Sequence, residues 1–420
     1  MINRSFKSTY FFLVLISLTG MISCKSQTSK SISKEDMNDS VKKEVIVGAN
    51  HTEKYLPLLK DKNIGIVANQ TSVLFKEKKN ISSHTQPHQD LGYTHLIDSL
   101  LANGVQIKKV FAPEHGFRGK ADAGEHIKDG KDAKTGLPII SLYGKNKKPS
   151  KEQLQGIDLI VFDIQDVGVR FYTYIATLQY VMEACAEAKI PIVVLDRPNP
   201  NGHYVDGPIL ELKHRSFLGL NPIPLVYGMT IGEYANMINK EGWLANNLTC
   251  DLTVISLENY IHQTPYSLAI RPSPNLPNDM AINLYPSLGF FEGTTINAGR
   301  GTEMQFQVYG APFFKTSDFS YTPQANFGAK YPKHKGKRCY GTDLRNEERL
   351  SKVDLKWLVD AYKRTPKNEK FFGPTFTAHA GTTKLQEQIE ADLSPEEIRN
   401  SWNSDLEMFM KIREKYLLYD

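Results

Sequence analysis

At 420 residues, 40% hydrophobic and 23% charged, the chain has the make-up of a soluble globular protein but exceeds what one hydrophobic core usually serves, so two domains are expected. Its formal charge of +5 falls to +3 once the first 23 residues leave with Arg4 and Lys7, and no dense Lys/Arg stripe with interleaved aromatics occurs. That balance excludes nucleic acid as a partner.

The N-terminus reads as a targeting segment over residues 1–23. Arg4 and Lys7 form a positive region, Tyr10 to Leu18 an apolar stretch too short to span a bilayer, and Met21-Ile22-Ser23-Cys24 a small-residue cleavage site that ends in cysteine. This pattern resembles a bacterial lipoprotein signal. It predicts lipidation at Cys24, contact with a membrane only through that anchor, and a mature protein in the periplasm of a Gram-negative cell. Residues 24–44 are rich in Ser, Lys and Asp and read as a flexible tether. Cys185, Cys250 and Cys339 then remain, an odd number without CxxC spacing, so neither a disulfide framework nor a zinc site is expected.

From residue 45 the punctuation is that of alternating strands and helices. Val45–Gly48 and Asn63–Asn69 read as strands, Leu91–Asn103 as a helix closed by Gly104, and Val105–Phe111 as a strand stopped by Pro113, which has no N–H for a ladder. Glu114 and His115 therefore lie just past a strand's carboxyl end, where open α/β sheets bind ligands. Leu137–Tyr143 and the nearly unbroken apolar run Asp158–Ile164 are further strands, the latter buried on both faces. Ile175, Leu178, Met182 and Cys185 recur at helical spacing over Thr173–Lys189, which leads into the strand Pro191–Leu195 and Asp196. A helix at Thr230–Glu241 and a strand at Leu252–Leu257 complete a Rossmann-like, doubly wound domain over 45–262.

No GxGxxG follows the first strand and no GxxxxGK[ST] occurs, so no nucleotide cofactor is indicated. From 263 to 420 the texture changes to a smaller α/β domain. It opens on Pro-rich irregular chain through Arg271 and Pro272, then carries Glu292-Gly293-Thr294 and Gly299-Arg300-Gly301. Strands at Met304–Tyr309 and Arg338–Asp343 follow, with helices at Asp354–Tyr362, Lys384–Ile389 and Pro395–Arg413, the last with a Ser394/Glu397 capping box.

Four stretches together carry a resemblance: Phe111-Ala112-Pro113-Glu114-His115-Gly116, Asp166–Tyr174, Asp196-Arg197-Pro198-Asn199-Pro200, and Phe291–Thr294 with Gly299–Thr302. In this order, over residues 45–420, they resemble the NamZ-type exo-β-N-acetylmuramidases. The resemblance implies a site in a cleft between a Rossmann-like domain and a smaller one, a catalytic glutamate at Glu114, no cofactor, and release of N-acetylmuramic acid (MurNAc) from the non-reducing end of peptidoglycan saccharides such as MurNAc-GlcNAc.

The residue types fit that chemistry. Glycoside hydrolysis needs a protonated acid at the leaving oxygen and a second group across the sugar. Glu114, Glu125, Asp163 and Glu292 are the loop carboxylates on offer, with Glu292 and Glu125 the candidates beside Glu114. Arg170, Arg271 and Arg300 each read either as a partner for the lactyl carboxylate of muramic acid or as a pin for a loop. Tyr172 reads as a platform for a sugar ring or as core, and Asp163 and Asp196 as holders of sugar hydroxyls or as caps. His115 reads as a hydrogen-bonded loop residue or a contact for sugar hydroxyls. Two rival readings stand beside the enzyme: a sugar-binding lipoprotein, since two α/β lobes around a cleft describe that class too, and metal-assisted hydrolysis through Glu114, His115, His126 and Asp163. No HExxH or other tight ligand spacing supports the second.

Overall fold

The computed structural model describes residues 43–76, 92–118, 129–315 and 317–420. Cys24, the signal segment and the tether up to residue 42 lie outside these, as do Glu125 and His126.

In chain order the first elements are α1 (Thr52–Leu59), β1 (Asn63–Ala68), β2 (Val73–Phe75), β3 (Tyr93–His95), α2 (Leu96–Ala102) and β4 (Gln106–Ala112). They are followed by β5 (Gly130–Lys131), β6 (Pro138–Ser141), α3 (Lys151–Leu154), β7 (Leu159–Asp163), α4 (Tyr174–Ala188), β8 (Ile192–Leu195), α5 (Ile231–Lys240) and β9 (Leu252–Ile255). Seven strands make one sheet in the order β5-β6-β4-β1-β7-β8-β9, parallel except for β5. From β1 the chain moves outward through β4 to β6, then returns to the other side of β1 and moves outward again through β7, β8 and β9. This is the doubly wound order, with its switch point at β1, and the crevice at the strands' carboxyl ends is where such sheets take ligands.

The period-2 pattern of the strands divides the core between the two faces of the sheet. In β7, Leu159 and Val161 point to the face covered by Tyr55 and Leu59 of α1 and Leu96, Ile97 and Leu100 of α2. Ile160 and Phe162 point to the opposite face, where Leu178, Met182 and Cys185 of α4 and Tyr234, Met237 and Ile238 of α5 cover them. Full burial of each such large side chain stabilises by roughly 1.5–3 kcal/mol. The three cysteines within the described residues are buried and unpaired in disulfides.

The rest of the chain is α6 (Asp279–Leu288), β10 (Val308–Ala311), β11 (Ser320–Tyr321), β12 (Cys339–Asp343), α7 (Lys356–Arg364), α8 (Phe376–Ala380), α9 (Lys384–Glu390), α10 (Pro395–Asn400) and α11 (Asn403–Arg413). Its three strands form a small antiparallel sheet in the order β10-β12-β11. Residues Glu44–Asp420 make up a single compact unit.

Several expected elements differ from those observed. Val45–Gly48 is no strand; Ile46 makes one two-way bridge to Glu258 at 3.0 Å, and Gly48–Asn50 turns into a short 3-10 helix. The helix expected from Leu91 starts at Leu96, because Tyr93–His95 pairs antiparallel with Val73–Phe75 and His95 becomes the N-cap. The expected strand at Met304–Tyr309 begins only at Val308, after a turn that places Phe306 at φ 51°. The helix expected over 395–413 breaks in two at Ser401 and Trp402. Within the stretch read as irregular lies α6, a helix with Pro286 inside it.

Candidate active site

Glu114 follows β4 through Pro113, beside the switch point of the sheet. It is half-buried, and Thr173, at the N-cap of α4, donates its hydroxyl to the Glu114 carboxylate at 2.8 Å. Tyr143, two residues past the end of β6, hydrogen-bonds Glu114 as well; burial and the adjacent negative charge push the Tyr143 phenol upward. Behind them Tyr172 and Tyr174 stand edge to face at 4.8 Å, both donating to the Pro272 carbonyl, at 2.8 and 3.3 Å. Those bonds fasten the Pro-rich loop against the carboxyl edge of the sheet.

Glu292 comes from a 3-10 turn over Gly289–Gly293 that continues α6. Arg300 donates to its carboxylate at 2.6 Å and to the Gly328 carbonyl at 3.1 Å. Lys333 donates to the carbonyls of Phe291 and Glu292 at 2.6 and 3.0 Å. Burial works to raise the Glu292 carboxyl, but Arg300, Lys333 and His379 outweigh it and hold the group below its ordinary value. His379, at the end of α8, donates from Nδ1 to the Thr375 carbonyl at 2.8 Å.

The two glutamates belong to one electrostatic neighbourhood. Arg300 is shifted upward chiefly by Glu292, and Glu114 adds to that shift; the Tyr285 phenol is raised by burial first and then by both carboxylates. Tyr285 packs on Phe171 at 5.2 Å and on Phe306 at 4.7 Å, filling the floor between the strand-end loops and the later part of the chain.

Of the residues singled out in the sequence, Glu114, Glu292 and Arg300 are brought together. Others have different work. Arg170 is fully buried and donates to four carbonyls, of Pro208, Ile223, His379 and Ala380, at 2.6–3.1 Å, so it is a pin and not a cleft residue. Asp163 is spent on Arg197, at 2.6 and 2.9 Å with both groups buried. Asp196 is fully buried and takes bonds from the Arg197 and Gly232 amides and the Thr230 and Tyr419 hydroxyls, a structural hub beneath α5. Tyr172 is buried edge to face against Tyr174 and Tyr285, so it packs and offers no open ring face to a sugar. His115 is buried with a left-handed backbone at φ 69°, and Arg271 is exposed with its carbonyl taken by Gln70 at 3.3 Å. Among the described residues no group of three His, Cys, Asp or Glu is arranged to hold a metal ion.

Tyr143, Thr173, Tyr285, Lys333 and His379 were not picked out from the sequence. Tyr143 had a usable signal: β6 is the parallel neighbour of β4, so its exit loop shares the edge that made Glu114 a candidate. His379 had none, being a single histidine in a short helix.

Paired carboxylates in one partly open site, one of them held ionised, are the equipment of a glycoside hydrolase. Comparison with known proteins gives the same class: residues 64–280 match the N-terminal and 283–419 the C-terminal family of exo-β-N-acetylmuramidase NamZ. The chain belongs to this family. It is 37% identical to the peptidoglycan β-N-acetylmuramidase NamZ of Bacillus subtilis (strain 168), over 96% of this chain and 98% of that one. Two crystal structures of DUF1343 family proteins from Bacteroides fragilis share the fold, each covering 90% of this chain and 99% of theirs. One has a TM-score of 0.79 at 44% identity and the other 0.74 at 27%.

Proposed function

We propose that this protein is an exo-acting β-N-acetylmuramidase that releases N-acetylmuramic acid from the non-reducing end of peptidoglycan fragments, MurNAc-GlcNAc among them, in cell-wall turnover. The observation that carries the reading is the convergence of Glu114 and the Arg300-bound Glu292 on one site. Glu114 is the general acid: its loop holds the carboxyl where a leaving sugar oxygen can take the proton, with Thr173 and Tyr143 fixing its orientation. Glu292, kept ionised, faces the positive charge that grows on the sugar as the bond breaks, either directly or by orienting the substrate's acetamido group. Arg300 spends two N–H groups on Glu292 and Gly328, and its remaining donors suit a lactyl carboxylate. The lipoprotein-like segment ending at Cys24 supports a periplasmic enzyme tethered to its membrane by lipid.

Glu114→Gln keeps the shape of the side chain and removes the proton. MurNAc-GlcNAc should then be cut at least about a hundredfold more slowly, since a positioned acid is worth roughly 10²–10⁴ in rate. A muramide with an acidic phenol as leaving group needs less protonation and should lose much less. Equal losses on both substrates would refute the acid role.

A further inference from the structure

The connection between β11 and β12, residues 322–338, is fastened to the candidate site at several points. Gln324 donates its amide to Gly301 at 2.8 Å, and Asn326 its side chain to the Thr302 carbonyl at 3.0 Å. Asn326 and Ala329 exchange backbone bonds at 3.1 Å, closing a tight turn with Phe327 and Gly328 at its apex. The Gly328 carbonyl takes bonds from Arg300, at 3.1 Å, and from buried Asn275, at 2.7 Å. Gly328 itself has φ 96°, and a Cβ there would meet Pro274 Cβ at 2.7 Å, so only glycine seats the apex this close. The turn thus rests on the partner of Glu292 on one side and, on the other, on the loop that Tyr172 and Tyr174 fasten beside Glu114.

From this anchored loop two large aromatic side chains stand out into solvent, Phe327 at 60% and Tyr331 at 90% exposure. The same loop and its exit carry exposed Lys335, Lys337 and Arg338, with the Lys335 ammonium 6.0 Å from the Tyr331 ring. A loop this well bonded has no need of exposed rings for its own stability, and exposed rings at the rim of a site are positioned to bind. The axial C–H face of a pyranose stacks on an aromatic ring, and the peptides borne by peptidoglycan end in carboxylates that suit a cationic rim.

We infer that the 326–338 loop is the platform for the glycan beyond the scissile bond. Phe327 and Tyr331 stack on its sugars, and Lys335, Lys337 and Arg338 meet the carboxylates of its peptides. This rests on the muramidase reading and adds to it a preference for longer, peptide-bearing strands over the bare disaccharide. The charge on the rim also makes that preference sensitive to salt.

The test compares kcat/KM on an aryl β-N-acetylmuramide, which has no sugar past the scissile bond, with kcat/KM on a MurNAc-GlcNAc tetrasaccharide whose second MurNAc alone carries a peptide, so that the lactyl carboxylate of the terminal MurNAc stays free. For the double variant F327A/Y331A the tetrasaccharide-to-aryl ratio should fall about tenfold, the effect of some 1.4 kcal/mol of binding. The pair K335E/K337E should lower the preference for peptide-bearing over peptide-free tetrasaccharide. A ratio within about twofold of wild type in the aromatic variant would overturn the platform. If the wild-type protein cleaves neither substrate, the muramidase reading falls, and cosedimentation with peptide-bearing sacculi then decides the platform separately. Weaker sedimentation of F327A/Y331A supports it, and equal sedimentation removes it.

Discussion

Two of the protein's arginine–carboxylate pairs, Arg197 with Asp163 and Arg300 with Glu292, share one chemistry and do different things. Arg197 and Asp163 have side chains 2% and 0% exposed, Asp163 at the carboxyl end of β7; Arg300 and Glu292 are 21% and 26% exposed, on loops in the later part of the chain. In the first pair Asp163 takes two bonds from Arg197, which also donates to the Val73 carbonyl. Burial pushes the Asp163 carboxyl upward and the guanidinium pulls it back, so each charge is tolerated only because the other is present. In the second pair one Glu292 oxygen is held, the group is ionised with help from Lys333, and part of the side chain still faces the cleft. An arginine–carboxylate motif near a strand end is therefore no sign of function by itself. What separates the two pairs is how much donor and acceptor capacity is left over for a ligand.

The most severe way to probe this contrast is Asp163→Asn. It leaves Arg197 buried without its counter-charge, and breaking such a pair costs roughly 3–5 kcal/mol. A urea unfolding midpoint far below wild type is expected, with activity per folded molecule retained. Asp166 supplies a third case, a buried carboxylate with no cation bonded to it, accepting instead from the Gly168 amide and the Tyr227 hydroxyl. Burial raises its pKa to about 6 from an ordinary 3.8, although those bonds work against the rise. The native state thus binds the proton more tightly than the unfolded chain. The stability that Asp166 contributes is fully present below about pH 4, falls as pH climbs toward about 6, and is gone above it. In Asp166→Asn that decline should shrink by up to about 3 kcal/mol, since each tenfold difference in proton affinity between the folded and unfolded chain is worth about 1.4 kcal/mol. Asp196, also raised to about 6, keeps part of the slope in the variant. Unfolding curves at pH 4 and pH 7 check this, and an unaltered slope would show that Asp166 is already ionised in the fold. Smallest of the three is Glu292→Gln. Because the pair is partly exposed, it should cost no more than about 1 kcal/mol of stability. It should lower kcat/KM about a hundredfold on aryl muramide. A loss of stability as large as that of Asp163→Asn would erase the contrast.

The same contrast shows what could be read in advance. Apolar runs such as Leu159–Asp163 and the helical spacing of Ile175, Leu178, Met182 and Cys185 gave strands and helices within a residue or two, because local pattern and tertiary burial agree there. Glu114 was legible from its place after a strand, and Glu292 and Arg300 from their Gly-framed loops. Asp163 and Asp196 occupy equally suggestive strand ends, and only the packing around them shows that their bonds are spent. Helix α6 was hidden by Pro286, which leaves the Ile282 carbonyl without its helical partner; Asn201, far off in sequence, donates to that carbonyl at 3.1 Å. The break between α10 and α11 falls in a run of Asn and Ser whose side chains compete for backbone groups, as Ser401 does in donating to Ile398 at 2.6 Å. No count of apolar spacing reports either event.

Arg170 bears on motion. Its guanidinium grips Pro208 and Ile223 in the part of the chain matched by the family's N-terminal region and His379 and Ala380 in the part matched by its C-terminal region. Burial lowers its pKa to about 9, yet the guanidinium is bound to four carbonyls. Swinging the two parts open would pull the His379 and Ala380 carbonyls off the guanidinium and leave half of the bonds to that buried charge unmade. A clamshell that shuts on its ligand is built on an interface that parts easily, and this one is riveted. The radius of gyration measured by X-ray scattering should accordingly be the same with and without saccharide, so that the cleft meets its substrate already formed and selects it by shape.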